Sequence, residues 1–123
     1  MADLFAPRPD WDPEHVALAA GASAFCVAPA TANVIAKMAL GLADDALTTT
    51  ALVVRCPCLV APAMNDRMWD HPAVRGHLDT LRGRGWTVVP PQEGVLACGS
   101  VGIGKLAPVE GIVRAIRGAM GAA

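Results

Sequence analysis

The chain has 123 residues, 54% of them apolar and 17% charged, with a formal net charge of -1 and three Trp, two Phe and no Tyr. That is the size of one domain, and its twelve glycines and ten prolines are dispersed among Ala, Val and Leu, so it is neither low-complexity nor disordered in composition. A near-zero charge without a basic run leaves no electrostatic grip on a nucleic-acid backbone or an anionic membrane surface.

The N-terminal Met1-Ala2-Asp3-Leu4-Phe5 lacks the basic region and apolar core of a secretory signal, which places the chain in the cytoplasm. Asp12-Pro13-Glu14 starts a helix: an N-cap acid, a proline at the first helical position and a second acid favoured by the dipole. This helix spans 13–20 and ends at Gly21. The stretch 16–36 is uncharged and long enough to cross a bilayer, but Gly21, Ser23, Pro29, Thr31 and Asn33 interrupt it with polar groups that lipid cannot satisfy. It divides instead into a buried strand over 24–28, stopped by Pro29, and a helix over 32–43 with Val34, Ile35, Met38 and Leu42 along one side.

Over 48–54, β-branched residues compete with helical spacing, and the balance favours a helix. Residues 58–61 form a second buried strand stopped by Pro62, and His71-Pro72 opens a helix that closes at Arg84-Gly85. Residues 86–89 make a third strand, 90–108 a glycine-rich loop, and 109–120 a closing helix with Ile112, Val113 and Ile116 as its stripe. Short apolar strands alternating with helices specify an α/β fold, a parallel sheet covered on both faces. Three strands are few for that architecture. The chain also opens without the strand and glycine turn that usually begin a nucleotide-binding α/β fold, so an N-terminally truncated domain over 1–123 is expected.

Two phrases repeat. Val27-Ala28-Pro29-Ala30 and Val60-Ala61-Pro62-Ala63 each finish a strand, and each leads within three residues to an asparagine, Asn33 or Asn65. Strand carboxyl ends face the ligand crevice of a parallel sheet, where Thr31 and the following N–H groups suit an oxygen-rich or phosphate ligand. The plainer alternative is that proline stops a strand and asparagine caps a helix. His15 lies in a first helical turn, where the dipole favours a neutral imidazole able to act as base or donor; a surface or packing role is the alternative. His71 and His77 read as structural.

The loop contains two decoys. Gly99 to Lys105 fits the start of a phosphate-binding loop, but Leu106 replaces the hydroxyl residue that binds magnesium, and no strand leads into it. Gly102-Ile103-Gly104-Lys105-Leu106-Ala107 imitates a dinucleotide fingerprint, again without the preceding strand. What remains is a flexible lid carrying Cys98, either a thiol that approaches a ligand or an inert buried one. Cys26, Cys56, Cys58 and Cys98 are expected reduced, and Cys56-Pro57-Cys58 lacks the companions of a zinc-finger site, so no metal is expected.

Five motifs in order then carry a resemblance: His15-Val16-Ala17-Leu18-Ala19; Ala28-Pro29-Ala30-Thr31-Ala32-Asn33; Ala43-Asp44-Asp45-Ala46-Leu47-Thr48-Thr49-Thr50; Pro62-Ala63-Met64-Asn65 with Met68-Trp69; and Ala97-Cys98-Gly99. Together they resemble the homo-oligomeric flavin-containing cysteine decarboxylases, most closely the phosphopantothenoylcysteine decarboxylase domains of coenzyme A biosynthesis. The resemblance implies a flavodoxin-like, Rossmann-like three-layer αβα fold that assembles as trimers with FMN at subunit interfaces. It also implies decarboxylation of 4'-phosphopantothenoylcysteine to 4'-phosphopantetheine without net oxidation. In such enzymes the flavin oxidises the thiol side to a thioaldehyde, the carboxylate leaves, and the electrons return to an enethiolate.

Carried over by that resemblance, His15, Asn65 and Cys98 are catalytic: His15 as proton acceptor or orienting donor, Asn65 as hydrogen-bond donor to the substrate carboxylate, Cys98 as proton source on the lid. Pro29, Ala30, Thr31 and Asn33 would lie against FMN, and Ala63, Met64, Asn65, Met68 and Lys105 against substrate, with Trp69 adding to the apolar wall. The family's lid has arginine where Lys105 stands, so this chain keeps the charge but lacks the guanidinium fork. Two further readings stay open: a peptidyl-cysteine decarboxylase using the same flavin chemistry, and a noncatalytic subunit or inactive remnant that keeps the fold.

Overall fold

The computed structural model describes residues 23–95, 99 and 101–121. The helix expected over 13–20 lies outside them.

Strand β1 is Phe25–Ala30, helix α1 Ala32–Leu40, helix α2 Ala46–Val53 and strand β2 Cys58–Pro62. Short helix α3 (Asp66–Asp70), helix α4 (Pro72–Gly83), strands β3 (Thr87–Val88), β4 (Gln92–Val95) and β5 (Val101–Lys105) and helix α5 (Val109–Ala119) follow. Strands β1, β2 and β3 form a parallel sheet in that spatial order. The two repeated phrases lie side by side in it, Val27 opposite Val60 and Ala30 opposite Pro62.

Alternation along β2 sends its side chains to two cores. Val60 joins Phe25, Val27, Ile35, Leu78 and Leu81 on the face covered by α1 and α4. Leu59 and Ala61 join Val89, Ala107 and Ile112 on the face covered by α5. A parallel sheet with helices on both faces is the expected α/β arrangement.

Local chemistry explains where the helices begin and end. The Thr31 hydroxyl accepts from the Val34 N–H at the start of α1. At its other end Gly41 takes a positive φ of 77°, and the Gly41 and Leu42 N–H groups donate back to Met38 O and Lys37 O. The helix expected over 32–43 therefore stops at Leu40, because a left-handed glycine ends it before the apolar stripe does. Arg84 closes the same helix end from outside, donating through Nη1 to Met38 O and through Nη2 to Ala39 O, at 3.2 and 2.7 Å.

Helix α2 opens with a reciprocal capping box between Asp45 and Thr48. Thr50 donates its hydroxyl to Ala46 O, which lets a β-branched residue sit inside a helix. His71 caps α4, its Nδ1 accepting from the Ala73 N–H at 3.0 Å, in keeping with a structural histidine.

Two strand expectations are corrected. Strand β1 runs through Pro29 to Ala30, by way of a cis Ala28–Pro29 peptide and a register shift between Val27 and Ala30. Among the described residues β1 is an edge strand, where a missing N–H is tolerated. Residues 90–108, expected as loop, contain the antiparallel β4–β5 hairpin, Gly94 opposite Gly102 and Val95 opposite Val101. Among the described residues no helix is long and apolar enough to cross a membrane.

Candidate functional site

The carboxyl ends of β1 and β2 are joined by one backbone bond: the Ala63 N–H donates to Ala30 O at 3.0 Å. The next residue is tied elsewhere, the Met64 N–H donating to Gly104 O at 2.9 Å. The turn 62–65 is thus held between the sheet and strand β5.

Glycine makes that approach possible. A Cβ on Gly104 would overlap the Met64 carbonyl oxygen, and one on Gly102 would stand 2.8 Å from Asp66 Cβ. The glycine spacing that imitates a dinucleotide fingerprint serves strand-to-turn packing. Gln92 secures the hairpin base, its Nε2 donating to Leu106 O at 2.9 Å. Sequence reasoning missed Gly102, Gly104 and Gln92 as site-builders; the available signal was glycine at alternate positions, one face of a strand.

Asn65 is the N-cap of α3. Its Oδ1 accepts from the Met68 N–H at 2.9 Å, which fixes the amide and turns Nδ2 away from the helix. Among the described residues Nδ2 has no partner, so a hydrogen-bond donor is available at the carboxyl end of the sheet. Across the turn, Thr31 caps α1, Asn33 is exposed in its first turn and Pro29 is exposed beside them. The first turn of α1 carries no acidic residue, so its N–H groups and positive dipole end present an unopposed field for an anion or an electron-rich ring edge.

The structure brings Pro29, Ala30 and Thr31 to the same sheet end as Ala63, Met64 and Asn65. Ala30 is wholly buried, so it offers backbone and not side chain. Met64 is half-buried and Met68 exposed. Trp69 is not a wall residue: it is buried in the core with Val74 and Leu78, with the Arg75 guanidinium 4.3 Å above its ring and Arg75 Nε donating to Trp69 O. Lys105 is exposed, beside a register shift in the hairpin, and its side chain lies against Gly94 of the neighbouring strand. His15 and Cys98 lie outside the described residues.

The Asp44-Asp45 motif is structural here. Lys37 donates to Asp44 at 2.8 Å, and that hydrogen bond holds the Asp44 carboxyl below its ordinary range and the Lys37 ammonium above its own. Burial pushes the thiols of Cys26 and Cys56 up, and that of Cys58 up to about 11. Burial thus reduces their thiolate share at neutral pH relative to a free cysteine. Among the described residues no group of three or more His, Cys, Asp or Glu is placed to hold a metal ion.

Comparison with known proteins adds to this geometry. The Flavoprotein family matches residues 5–121. The coenzyme A biosynthesis bifunctional protein CoaBC of Bacillus subtilis (strain 168) is 51% identical over 100 residues, covering 81% of this chain and 25% of that protein. A solved PPC decarboxylase mutant complexed with pantothenoylaminoethenethiol superposes with a TM-score of 0.82 at 36% identity, over 89% of this chain and 62% of that one. The FMN-dependent cysteine decarboxylase SpaF gives a TM-score of 0.69 at 42% identity, over 85% and 57%. The chain thus spans about a quarter of the length of the bifunctional relative and less than two thirds of either solved chain.

Proposed function

The chain belongs to the Flavoprotein family, and from that premise we propose that it is part of an FMN-dependent decarboxylase domain acting on 4'-phosphopantothenoylcysteine. The observation that carries the reading is the Asn65 amide, anchored through its oxygen and presenting its nitrogen at the sheet end beside the N-terminus of α1, whose first turn carries no acidic residue.

The donor set fits a flavin nucleotide. Backbone at Pro29 and Ala30, the Thr31 cap and Asn33 would hold it, with no carboxylate in the first turn of α1 to repel it. When bound, FMN supplies a two-electron sink that makes the cysteinyl carboxylate easy to lose. Asn65 Nδ2 orients that carboxylate as a neutral donor, which positions it without adding a cation that would stabilise it against departure. Met64 supplies apolar surface beside it, and β5, packed on the turn through Gly104, limits water. By the family resemblance, His15 accepts or orients a proton near the reacting cysteinyl group, and Cys98 returns a proton to product. We also read the working form as a homotrimer in the cytoplasm, by the same resemblance.

A second reading stays open beside it: the cysteine decarboxylase SpaF is 42% identical, between the 36% of the PPC decarboxylase mutant and the 51% of the bifunctional CoaBC. By the family resemblance, a peptide ending in cysteine is the competing substrate. The test incubates the chain with FMN and each substrate and follows carbon dioxide release and product mass. Turnover of phosphopantothenoylcysteine, abolished by His15→Asn with flavin binding kept, is the expected result. Turnover of the peptide alone moves the substrate to the second reading. Flavin binding without turnover of either overturns the enzymatic reading in favour of a noncatalytic subunit.

A further inference from the structure

A cavity of about 250 Å³ opens at the amino ends of β2 and β3, the opposite end of the sheet from Asn65, with Arg55, Cys56, Cys58, Arg84 and Trp86 in its lining. Two of those groups are thiols separated by one residue, Pro57. Cys58 Sγ lies 3.4 Å from the Cys56 carbonyl oxygen, so it folds back along its own chain toward Cys56. Pro57 between them restricts the backbone, and its carbonyl accepts from the Phe25 N–H at 2.9 Å, pinning the segment to β1. Both cysteines line the same cavity.

Its chemistry selects a narrow class of ligand. Cys56 lies in a bend and Cys58 opens β2; for comparison, residues two apart in extended chain have Cα atoms about 6.6 Å apart, near the upper end of the range that a disulfide spans. An ion between the two sulfurs asks for less: two metal–sulfur bonds of about 2.3 Å in line put them about 4.6 Å apart. Tetrahedral or oxygen-loving ions need more donors, and no group of three or more ligating side chains exists among the described residues. We propose that Cys56 and Cys58 form a two-coordinate site for a soft monovalent cation of the copper(I) class.

Binding forms two metal–sulfur bonds and breaks two sulfur–hydrogen bonds, releasing two protons to solvent with no change in oxidation state. The bound site carries one net negative charge. Arg55 and Arg84 line the same cavity and offset it. The α1 carbonyls hold the Arg84 guanidinium in place for this role.

Anaerobic titration of the reduced full chain with copper(I), in competition with a chromogenic copper(I) chelator, tests the site. One ion per chain is expected, with affinity falling at least tenfold in Cys56→Ser and in Cys58→Ser and unchanged in Cys26→Ser and Cys98→Ser. Wild-type affinity in Cys56→Ser overturns the proposal, as does binding abolished by Cys26→Ser or Cys98→Ser, or no ion held more tightly than by the Cys56/Cys58 double variant. Should Cys58→Ser lose its circular-dichroism spectrum, Cys56→Ser, outside the strand, decides alone. The readout is independent of flavin and of turnover.

Discussion

With its oxygen held by the Met68 N–H, the Asn65 amide presents only nitrogen outward, and its two roles separate by substitution. Asn65→Asp keeps an N-cap acceptor of the same shape but replaces the outward donor with a carboxylate oxygen that repels a substrate carboxylate. Unfolding free energy should stay within about 0.5 kcal/mol of wild type by urea titration, because Asn and Asp are equivalent caps, while decarboxylation is lost. Asn65→Ala should lose the cap as well, costing about 1 kcal/mol. An active Asn65→Asp would remove Asn65 from the site. The capping role of Asn65 was legible in the sequence, since cap chemistry is local; at the first turn the cap is Thr31, with the asparagine offered for that role, Asn33, already inside the helix. The orientation of the Asn65 amide was not legible, because it depends on which N–H lies within reach once the turn is folded. Trp69 was misread for a related reason: a motif records that an indole is present, not which side of α3 is buried.

Among the elements, the β4–β5 hairpin is where sequence and structure diverge. Glycines at 94, 99, 102 and 104 suggest a loop because glycine's local preferences do not distinguish a turn from a strand pressed against another backbone. The cause of Gly104 is Met64, forty residues away in the chain, and no local pattern reports it. Gly104→Ala should destabilise the fold by about 1–3 kcal/mol, the usual penalty of overpacking. Gly76→Ala is the opposite case: it lies inside α4 with nothing near an added Cβ, and should stabilise by about 0.5–1 kcal/mol. Thermal or urea unfolding of the pair checks both signs; a neutral Gly104→Ala would mean that β5 does not pack on the turn as described. Helices α1, α2, α4 and α5 were legible to within a few residues because caps and periodicity are local signals, whereas short α3 was not expected; the error at Leu40 arose from weighing the apolar stripe above the glycine that follows it.

For the whole molecule, strand and helix alternation was enough to give a parallel α/β sheet. The strand order β1-β2-β3, and the division of β2 between two cores, follow from packing that alternation only partly encodes. A ligand that binds the folded chain alone must raise its stability, by about 2.7 kcal/mol at a hundredfold excess over Kd. FMN should therefore raise the unfolding midpoint, the shift growing with concentration and vanishing when the flavin is removed by dialysis. A folded chain whose midpoint ignores saturating FMN would count against the flavin reading, whatever its activity.

Ala63 and Met64 are neighbours whose amides are anchored to different elements, one to the sheet and the other to the hairpin. A ligand seated at Asn65 rests on a bracket with two arms, and displacing either arm tilts the same seat. Under the proposed function, changes at Gly102 or Gly104 would then alter ligand preference by moving the seat, without removing a ligand contact.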